Sequence, residues 1–317
     1  MRKTSIVLLL FLLVTSAGAQ DIEVKDLFIP TSPGLVLADK APSSVEKPTI
    51  PKAFGVSLLN LWQGGALEAT PFWFTDKPDL EYEDWIKKKF LLIETFNISA
   101  ATFKTDTSSI LSAGLRTQLL RIYSKSHIRK LLAQEQKIIG LLTPGIGMDI
   151  DTAAMRKAYM ELQELQKKGF FTFELAAAVL GSSGNNSFRN LEATKSGVWA
   201  NLRWSPSNSM LDFVGVARYS WAVNEMKLTP RDSSFFDYGL SLHYEKGPLN
   251  ISAEYVKRRD ISQKQNADRT TFIATYQLTP NMAIVGSFGK NFAQVDNIIA
   301  IFGLNIGLSK GTVSNSK

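Results

Sequence analysis

The sequence predicts an all-β fold, an antiparallel transmembrane β-barrel of about twelve strands with a periplasmic α-helical insert. Three observations predict this fold class. Apolar residues recur at every second position in many segments, most of these segments run nine to thirteen residues, and short and long connections alternate in the second half of the chain. Strands of soluble sheets usually have about five or six residues, whereas a tilted strand needs about nine to eleven residues to cross a bilayer.

The N-terminus is predicted to be an export signal over residues 1–19. Arg2 and Lys3 precede an apolar run at residues 6–14, and the small residues that end at Ala19 are the type that a signal peptidase accepts. The apolar run is too short to cross about 30 Å of hydrocarbon as a helix. We therefore expect export and cleavage near Ala19 rather than a membrane anchor.

The mature chain is predicted to begin with an extended segment over residues 20–52. This segment is rich in Pro, Ser and charged residues. Because Pro lacks a backbone N–H and has a fixed φ, its repeated use interrupts continuous helix and strand pairing. Three interpretations of the segment stay open: a tether in the periplasm, an insertion into the barrel lumen, or a disordered linker.

Alternation with period two is clearest in the second half of the chain. Phe236 and Tyr238 fall on one face of a predicted strand, whereas Asp237 and Ser241 fall on the other. One face suits lipid and the other suits water, as a transmembrane barrel requires. The predicted strands cover residues 54–61, 66–74, 93–104, 109–121, 169–180, 193–204, 210–222, 235–245, 248–258, 269–279, 281–290 and 297–308, and the barrel as a whole covers 53–309.

The connection lengths are an independent test of the barrel. When both chain ends lie in the periplasm, every second connection is short and lies on that side. The second half of the chain follows this rule, with short connections near residues 206–208, 246–247 and 279–280. The first half departs from it, because the connections at 75–92 and 122–168 are long and would face the periplasm.

The connection at residues 122–168 is predicted to form two helices. The first runs over about residues 126–142, and the second follows Asp151, which can cap it, and ends at Gly169. Two interpretations stay open: the pair rests on anionic lipid or docks a periplasmic or membrane protein, or it packs its apolar side across the barrel mouth. The candidate surface residues for a partner or membrane are Arg129, Lys130, Lys137, Arg156 and Lys157.

Charged residues of both signs recur on the faces that are predicted to point inward. They would line a narrow polar channel, or pair across the lumen and close it, since unpaired charges in a dry lumen are costly. The candidate lumen-lining residues are Arg116, Glu174, Lys195, Arg203, Asp212, Arg218, Asp237, His243 and Glu254. The aromatic residues expected to form interfacial girdles are Trp73, Phe171, Trp204, Tyr219, Trp221 and Tyr244.

A secreted β-sandwich is the competing fold, because its inward face would also be apolar. Long strands, aromatic residues near strand ends and charged inward faces weigh against it. Binding to nucleic acid is not expected, because the basic residues are dispersed along the chain despite a formal net charge of +7.

The composition of the chain disfavours catalysis, because it contains few of the Cys and His residues that commonly act as nucleophile or base. It has no Cys, which removes thiolate nucleophiles and thiolate metal sites, and its only histidines are His127 and His243. A lipid-facing Ser–His dyad, as in outer-membrane lipid hydrolases, is disfavoured because His243 is predicted to face the lumen. Residues 307–311 match G-x-S-x-G, yet a nucleophile elbow needs a helix after the Ser and the chain ends soon after. No cofactor and no metal are expected.

The export signal, the long alternating strands and the short even turns resemble bacterial outer-membrane β-barrel proteins, and the Pro-rich segment is similar to that of uncharacterised Bacteroidota envelope barrels. The resemblance implies porin-like transport in the outer membrane of a Gram-negative cell envelope, in contact with outer-membrane lipid. One feature departs from the family. Such proteins commonly end on an aromatic residue, whereas here a tail at residues 310–317 follows the last strand and Phe302 is the nearest aromatic.

Two functions from different classes follow from this reading. One is a narrow channel for small polar solutes through the charged lumen. The other is a non-conducting envelope scaffold or secretion accessory that binds a partner through its helical insert.

Overall fold

The computed structural model describes residues 21–23, 32–50, 52–59, 64–75, 77–104, 108–143, 151–184, 188, 190–224, 227–279, 281–292, 298–308 and 312–314. The predicted export signal, parts of the predicted extended segment and most of the C-terminal tail lie outside these residues, so their predicted boundaries stay predictions.

Fifteen strands and four α-helices are formed by the described residues. The strands are β1 Asp21–Glu23, β2 Phe54–Leu59, β3 Gly64–Ala69, β4 Lys77–Glu81, β5 Asn97–Lys104, β6 Ser108–Tyr123, β7 Phe170–Gly184, β8 Glu192–Ser205, β9 Leu211–Asn224, β10 Lys227–Lys246, β11 Leu249–Asp260, β12 Asn266–Thr279, β13 Met282–Lys290, β14 Ile298–Leu308 and β15 Thr312–Ser314. The helices are α1 Pro33–Leu37, α2 Tyr82–Lys87, α3 Lys125–Leu142 and α4 Thr152–Gln166.

Twelve of these strands, β2, β3 and β5 to β14, form one closed antiparallel barrel, which confirms the predicted fold class. Each barrel strand pairs with the next one along the chain, and β14 closes the ring on β2 with Leu308 opposite Phe54. The three short strands β1, β15 and β4 form a separate sheet beside α2, at the end of the barrel where β14 finishes. We call this the helix end, and the opposite end, where β9 and β10 meet, the loop end.

The barrel wall has an apolar outer face and a largely polar inner face. In β5 buried and exposed residues alternate without exception. Every barrel strand exposes at least one large apolar side chain, among them Leu67, Leu175, Leu240 and Phe272. Among the described helices, none is long and apolar enough to cross a membrane. The exposed apolar side chains of the barrel strands give the outer face the apolar character that a membrane barrel needs.

The alternation changes phase once within β6. The pairing of β6 with β7 shifts between Gln118 and Leu120, which marks a β-bulge. Before the bulge Arg116 and Gln118 point inward, and after it the buried positions become Arg121 and Tyr123. A simple period-two pattern from Arg116 would have placed Arg121 on the outer face.

Some predicted boundaries were wrong for local reasons. The second strand was predicted at residues 66–74 but ends at Ala69, because Pro71 cannot donate to the sheet and starts a 3-10 helix, Pro71–Phe74. Trp73, predicted to lie in an outer aromatic girdle, is only 1% exposed in an interior core as a result. The connection at 75–92 contains β4 and α2 rather than a plain loop.

The predicted extended segment contains a short helix. Residues 33–37 form α1 with Pro33 in its first turn, where the missing N–H costs nothing. The rest of residues 38–50 has neither helix nor strand, as its prolines predict. We call residues 32–50 the inserted segment, because most of its side chains are buried inside the barrel.

The two predicted helices of the insert are present as α3 and α4 and pack on the helix end. The Ser124 hydroxyl caps α3 and the Asp151 carboxylate caps α4. Leu131, Ile138 and Leu162 belong to a second core that also contains barrel residues at the ends of β6 and β7. The apolar side of the insert thus covers the barrel mouth, the second of its two sequence interpretations.

His127 joins α3 to the last turn of α4. Its Nε2 donates to the Leu165 carbonyl at 2.8 Å, and its ring stacks on Tyr123. Burial lowers the pKa of this imidazole from its ordinary value, which favours its neutral form. Gly169, with φ +78°, lies so close that an added Cβ would stand 2.2 Å from His127 Cγ.

We expect Gly169→Ala to loosen the helical insert. An Ala in this left-handed conformation costs about 1–2 kcal/mol, and its methyl group would also displace the His127 ring. Hydrogen–deuterium exchange should show reduced protection of residues 125–142. The matched control is Gly140→Ala in α3, where an added Cβ meets nothing within 4 Å and protection should stay equal or rise. Equal protection in both variants would contradict the role assigned to Gly169.

Candidate functional site

The interior of the barrel is occupied by the inserted segment. Leu35, Val36, Leu37 and Val45 are each at most 1% exposed, and they form the main apolar core together with wall residues of many strands. Each such side chain contributes about 1.5–3 kcal/mol on full burial. The wall leaves room for them: a Cβ on Gly197 would lie 2.7 Å from Leu37 Cδ1. The apolar contacts therefore hold the segment inside the barrel.

The loop-end part of the segment is held by a charge cluster around Asp39. Arg258 donates two hydrogen bonds to the Asp39 carboxylate, at 2.8 and 2.9 Å. The same guanidinium also binds Asp237, which in turn pairs with Arg218 at 2.6 Å. Lys195 donates to the Leu37 carbonyl at 2.9 Å. Two wall cations are thus neutralised partly by the wall and partly by the segment.

In the middle of the lumen, Glu46 of the segment faces Arg116 of β6. Arg116 pairs with Glu46 at 3.3 Å and also with Glu68. The Trp199 indole N–H donates to the second oxygen of Glu46 at 2.9 Å. Glu174 accepts a hydrogen bond from Asn201 beside this cluster. One wall arginine therefore holds a carboxylate from the segment and one from the wall.

At Glu254 of β11 the charges are reversed, because here the wall provides the carboxylate and the segment provides the hydrogen-bond donors. Its carboxylate accepts hydrogen bonds from the Ser43 hydroxyl and from the backbone N–H groups of Ser44 and Val45, at 2.8 to 3.1 Å. Arg269 pairs with Glu254 at 3.3 Å and donates to two carbonyls of the segment. The turn of the segment is therefore fixed by backbone as well as side-chain contacts.

Near the helix end, Lys47 is the cation that the segment provides. Its ammonium group lies 2.9 Å from Asp212 and 2.8 Å from Glu245, and its side chain is fully buried. Asp212 also pairs with Arg203 and Lys168. Arg203 donates to the carbonyl of Pro48 at 3.0 Å. Lys47 thus joins two wall carboxylates at the level where the segment leaves the lumen.

The structure places the predicted lumen residues as follows. Eight of them are at most 3% exposed inside the barrel, and Lys195 is half-buried. His243 contacts Ser241 through its Nε2 at 3.0 Å, and its Nδ1 has no partner among the described residues. The other eight contact the segment or the wall as described above. The five predicted surface residues are all exposed on α3 and α4, and Lys137 pairs with Glu161.

Five functional residues were not found from the sequence. Arg258 and Arg269 lie at the ends of their strands' inward faces, where a continued period-two count would have included them. The segment residues Asp39, Glu46 and Lys47 belong to no periodic element, so their position in the lumen had no local signal. Among the described residues, no group of three His, Asp or Glu side chains is placed to hold a metal ion.

Comparison with solved structures gives distant matches. The chain matches the KdgM porin at 8% identity with a TM-score of 0.41, covering 80% of this chain and 97% of that one. It matches the NanC porin at 9% identity (TM-score 0.39, 80% and 98% covered) and LpxR from Salmonella typhimurium at 7% identity (TM-score 0.38, 80% and 99% covered). At these TM-scores nothing about function follows. No protein-family model and no curated protein matches.

We expect Lys47→Met to weaken the hold of the wall on the inserted segment. The variant keeps the aliphatic stem but leaves two buried carboxylates with one cation fewer, and breaking a buried pair typically costs about 3–5 kcal/mol. Because the chain has no Cys, Ser44→Cys is a clean probe at a position that is 2% exposed. Labelling of this thiol by a maleimide should become at least about tenfold faster in Lys47→Met.

The matched control is Lys40→Met, which removes an exposed lysine from the same segment. It should leave the labelling rate unchanged. Equal rates in the two variants would mean that Lys47 does not hold the segment in place.

Proposed function

We propose that the protein is an outer-membrane β-barrel channel for small polar solutes and that the inserted segment keeps it closed at rest. An apolar outer face around a charged inner wall supports the membrane location. The observation that carries the proposal is the pairing of wall charges with Asp39, Glu46 and Lys47, three side chains of one short segment. If the barrel only enclosed the segment permanently, its inner wall would not need charges of both signs.

The path of the chain makes withdrawal of the segment feasible. β1 precedes the segment and lies in the small sheet at the helix end, and Lys52, which follows the segment, bonds Asn281 at the same end. The described residues that flank the segment, β1 and Lys52, therefore both lie at one mouth, and the described contacts between the segment and the wall are non-covalent. The segment can leave the lumen without unpairing a barrel strand, and Arg116, Arg203 and Arg218 would then line the open path with Asp212, Asp237 and Glu254.

Lipid hydrolysis, the alternative enzyme function, gains no support from the geometry. The Ser241 and His243 side chains meet on the inner wall, 3% exposed each, and not on the lipid-facing surface. A catalytic His is normally oriented by a third group at its other nitrogen. Among the described residues no carboxylate forms a hydrogen bond with His243 Nδ1.

A partner-binding scaffold is the second candidate. It is favoured by the separate core at the helix end, which holds α3 and α4 firmly on the barrel while Arg129, Lys130, Lys137, Arg156 and Lys157 stay exposed. Such a basic surface suits an acidic protein or anionic lipid. In this function the lumen would never open.

Conductance in planar bilayers separates the two functions. We expect discrete but rare openings for the wild type and frequent openings both for a deletion of residues 32–50 and for Lys47→Met, with Lys40→Met behaving as wild type. Folding of each variant is checked by the different gel mobility of unboiled and boiled samples. If the folded deletion variant stays silent, the channel proposal fails and the scaffold remains.

A disulfide lock tests the segment directly. A Cβ on Gly34 would lie 3.7 Å from the Cβ of Ala101, within the usual range for a disulfide. The Ser112 side chain stands in the way, so we would make Gly34→Cys and Ala101→Cys together with Ser112→Gly and Lys47→Met. Oxidation should abolish the openings that Lys47→Met produces, and reduction should restore them. Openings that persist in the oxidised protein would show that the segment is not the gate.

A further inference from the structure

A small cavity at the helix end contains a buried arginine that the proposed channel does not use. Arg121 is 2% exposed and lines this cavity, whose volume is about 20 Å³, together with Tyr82, Trp85, Gln118, Gln166 and Phe170. The bulge in β6 turns Arg121 inward. Its backbone N–H donates to the Lys89 carbonyl at 2.7 Å instead of to a neighbouring barrel strand.

The guanidinium of Arg121 is only partly satisfied. Its Nη2 donates to the Trp85 carbonyl at 3.0 Å, and its charge lies over the rings of Trp85 and Tyr123, at 4.5 and 5.4 Å from their centroids. Its Nε and Nη1 have no hydrogen-bond partner among the described residues. Leaving buried donors in this state is unfavourable, because their desolvation is not compensated by a hydrogen bond.

Arg121 also differs from the other buried arginines. Arg116, Arg203, Arg218, Arg258 and Arg269 each pair with at least one carboxylate. No ion pair of the described part of the chain includes Arg121, and Glu94, an acid of the neighbouring turn, pairs with Lys88. Among the described residues Arg121 therefore has no carboxylate of its own within ion-pair distance, and it shares the attraction of Glu94 with Lys88, although burying a poorly compensated charge is strongly unfavourable.

We propose that this cavity binds a monatomic anion of chloride size, held by Arg121 Nε and Nη1. The cavity volume is about that needed for one water or one small ion, which excludes phosphate, carboxylates and sugars. Arg203 and Lys167 also line it, but both are already paired with carboxylates, so Arg121 is the cation that the anion would neutralise. Gln166 bonds the Tyr82 hydroxyl at 3.1 Å, and because that hydroxyl can donate or accept, the amide can turn its NH₂ toward the anion.

A water molecule is the competing occupant. It would accept from Arg121 and donate to the side-chain oxygens of Gln118 and Gln166, which have no other partner among the described residues. Water satisfies the hydrogen bonds but leaves the charge uncompensated, whereas the anion neutralises it. The two occupants therefore differ in their dependence on the anion that is supplied.

The test uses the full-length folded protein with chloride, bromide and gluconate at constant ionic strength. We expect chloride and bromide to raise the thermal unfolding midpoint in a saturable way relative to gluconate, which is too large for the cavity. Arg121→Gln should abolish this increase, and Arg129→Gln, which removes an exposed arginine of α3, should retain it. Bromide-soaked crystals should show an anomalous peak within hydrogen-bond distance of Arg121 Nε and Nη1.

An equal midpoint in all three salts, or an ordered water without a bromide peak, would overturn the proposal. The wild-type protein alone provides both readouts, so the test stands even if Arg121→Gln fails to fold. Neither readout depends on whether the barrel conducts.

Discussion

The charges inside the barrel must be neutralised, and the rest of the structure follows from how this is achieved. Wall residues such as Arg116, Asp212 and Arg258 are almost fully enclosed. Taking such groups out of water costs several kcal/mol per ion unless partners and hydrogen bonds replace the solvent. The inserted segment provides these partners with Asp39, Glu46 and Lys47, and it satisfies Glu254 with backbone N–H groups. The segment and the wall therefore neutralise each other's charges within one shared interior.

The apolar and polar contacts of the segment have different roles. Leu35, Val36 and Leu37 bury area against small wall residues, and this burial provides most of the favourable free energy. Ion pairs contribute little net stability, because desolvation offsets their attraction. They instead select one placement of the segment, since a shift along the lumen would leave several buried charges without a partner. Burial thus holds the segment in the barrel and charge defines its register.

The sequence predicted what is local and periodic. Period-two alternation placed twelve strands and most inward charges, because a strand's two faces are set by neighbouring residues. The pattern failed where geometry depended on something else: at Pro71, where the missing N–H ended β3 early, and at the β6 bulge, which turned Arg121 inward. The position of the inserted segment could not be predicted, since Lys47 meets Asp212 and Glu245 across more than 160 intervening residues and a Pro-rich stretch carries no periodic signal.

A charged wall is compatible with a lumen that holds the segment and with a lumen that holds water. An apolar wall would be compatible only with the first. With the segment inside, the wall charges that face it, such as Arg116, Asp212 and Arg258, have protein partners. With the segment outside, the same charges are satisfied by water, because hydration replaces the lost hydrogen bonds. An apolar wall would lose its covered area without such compensation, so withdrawal would cost the full burial free energy. The mixed charges thus lower the free-energy difference between the two states, which is the property that a reversible plug needs and a permanent filling does not.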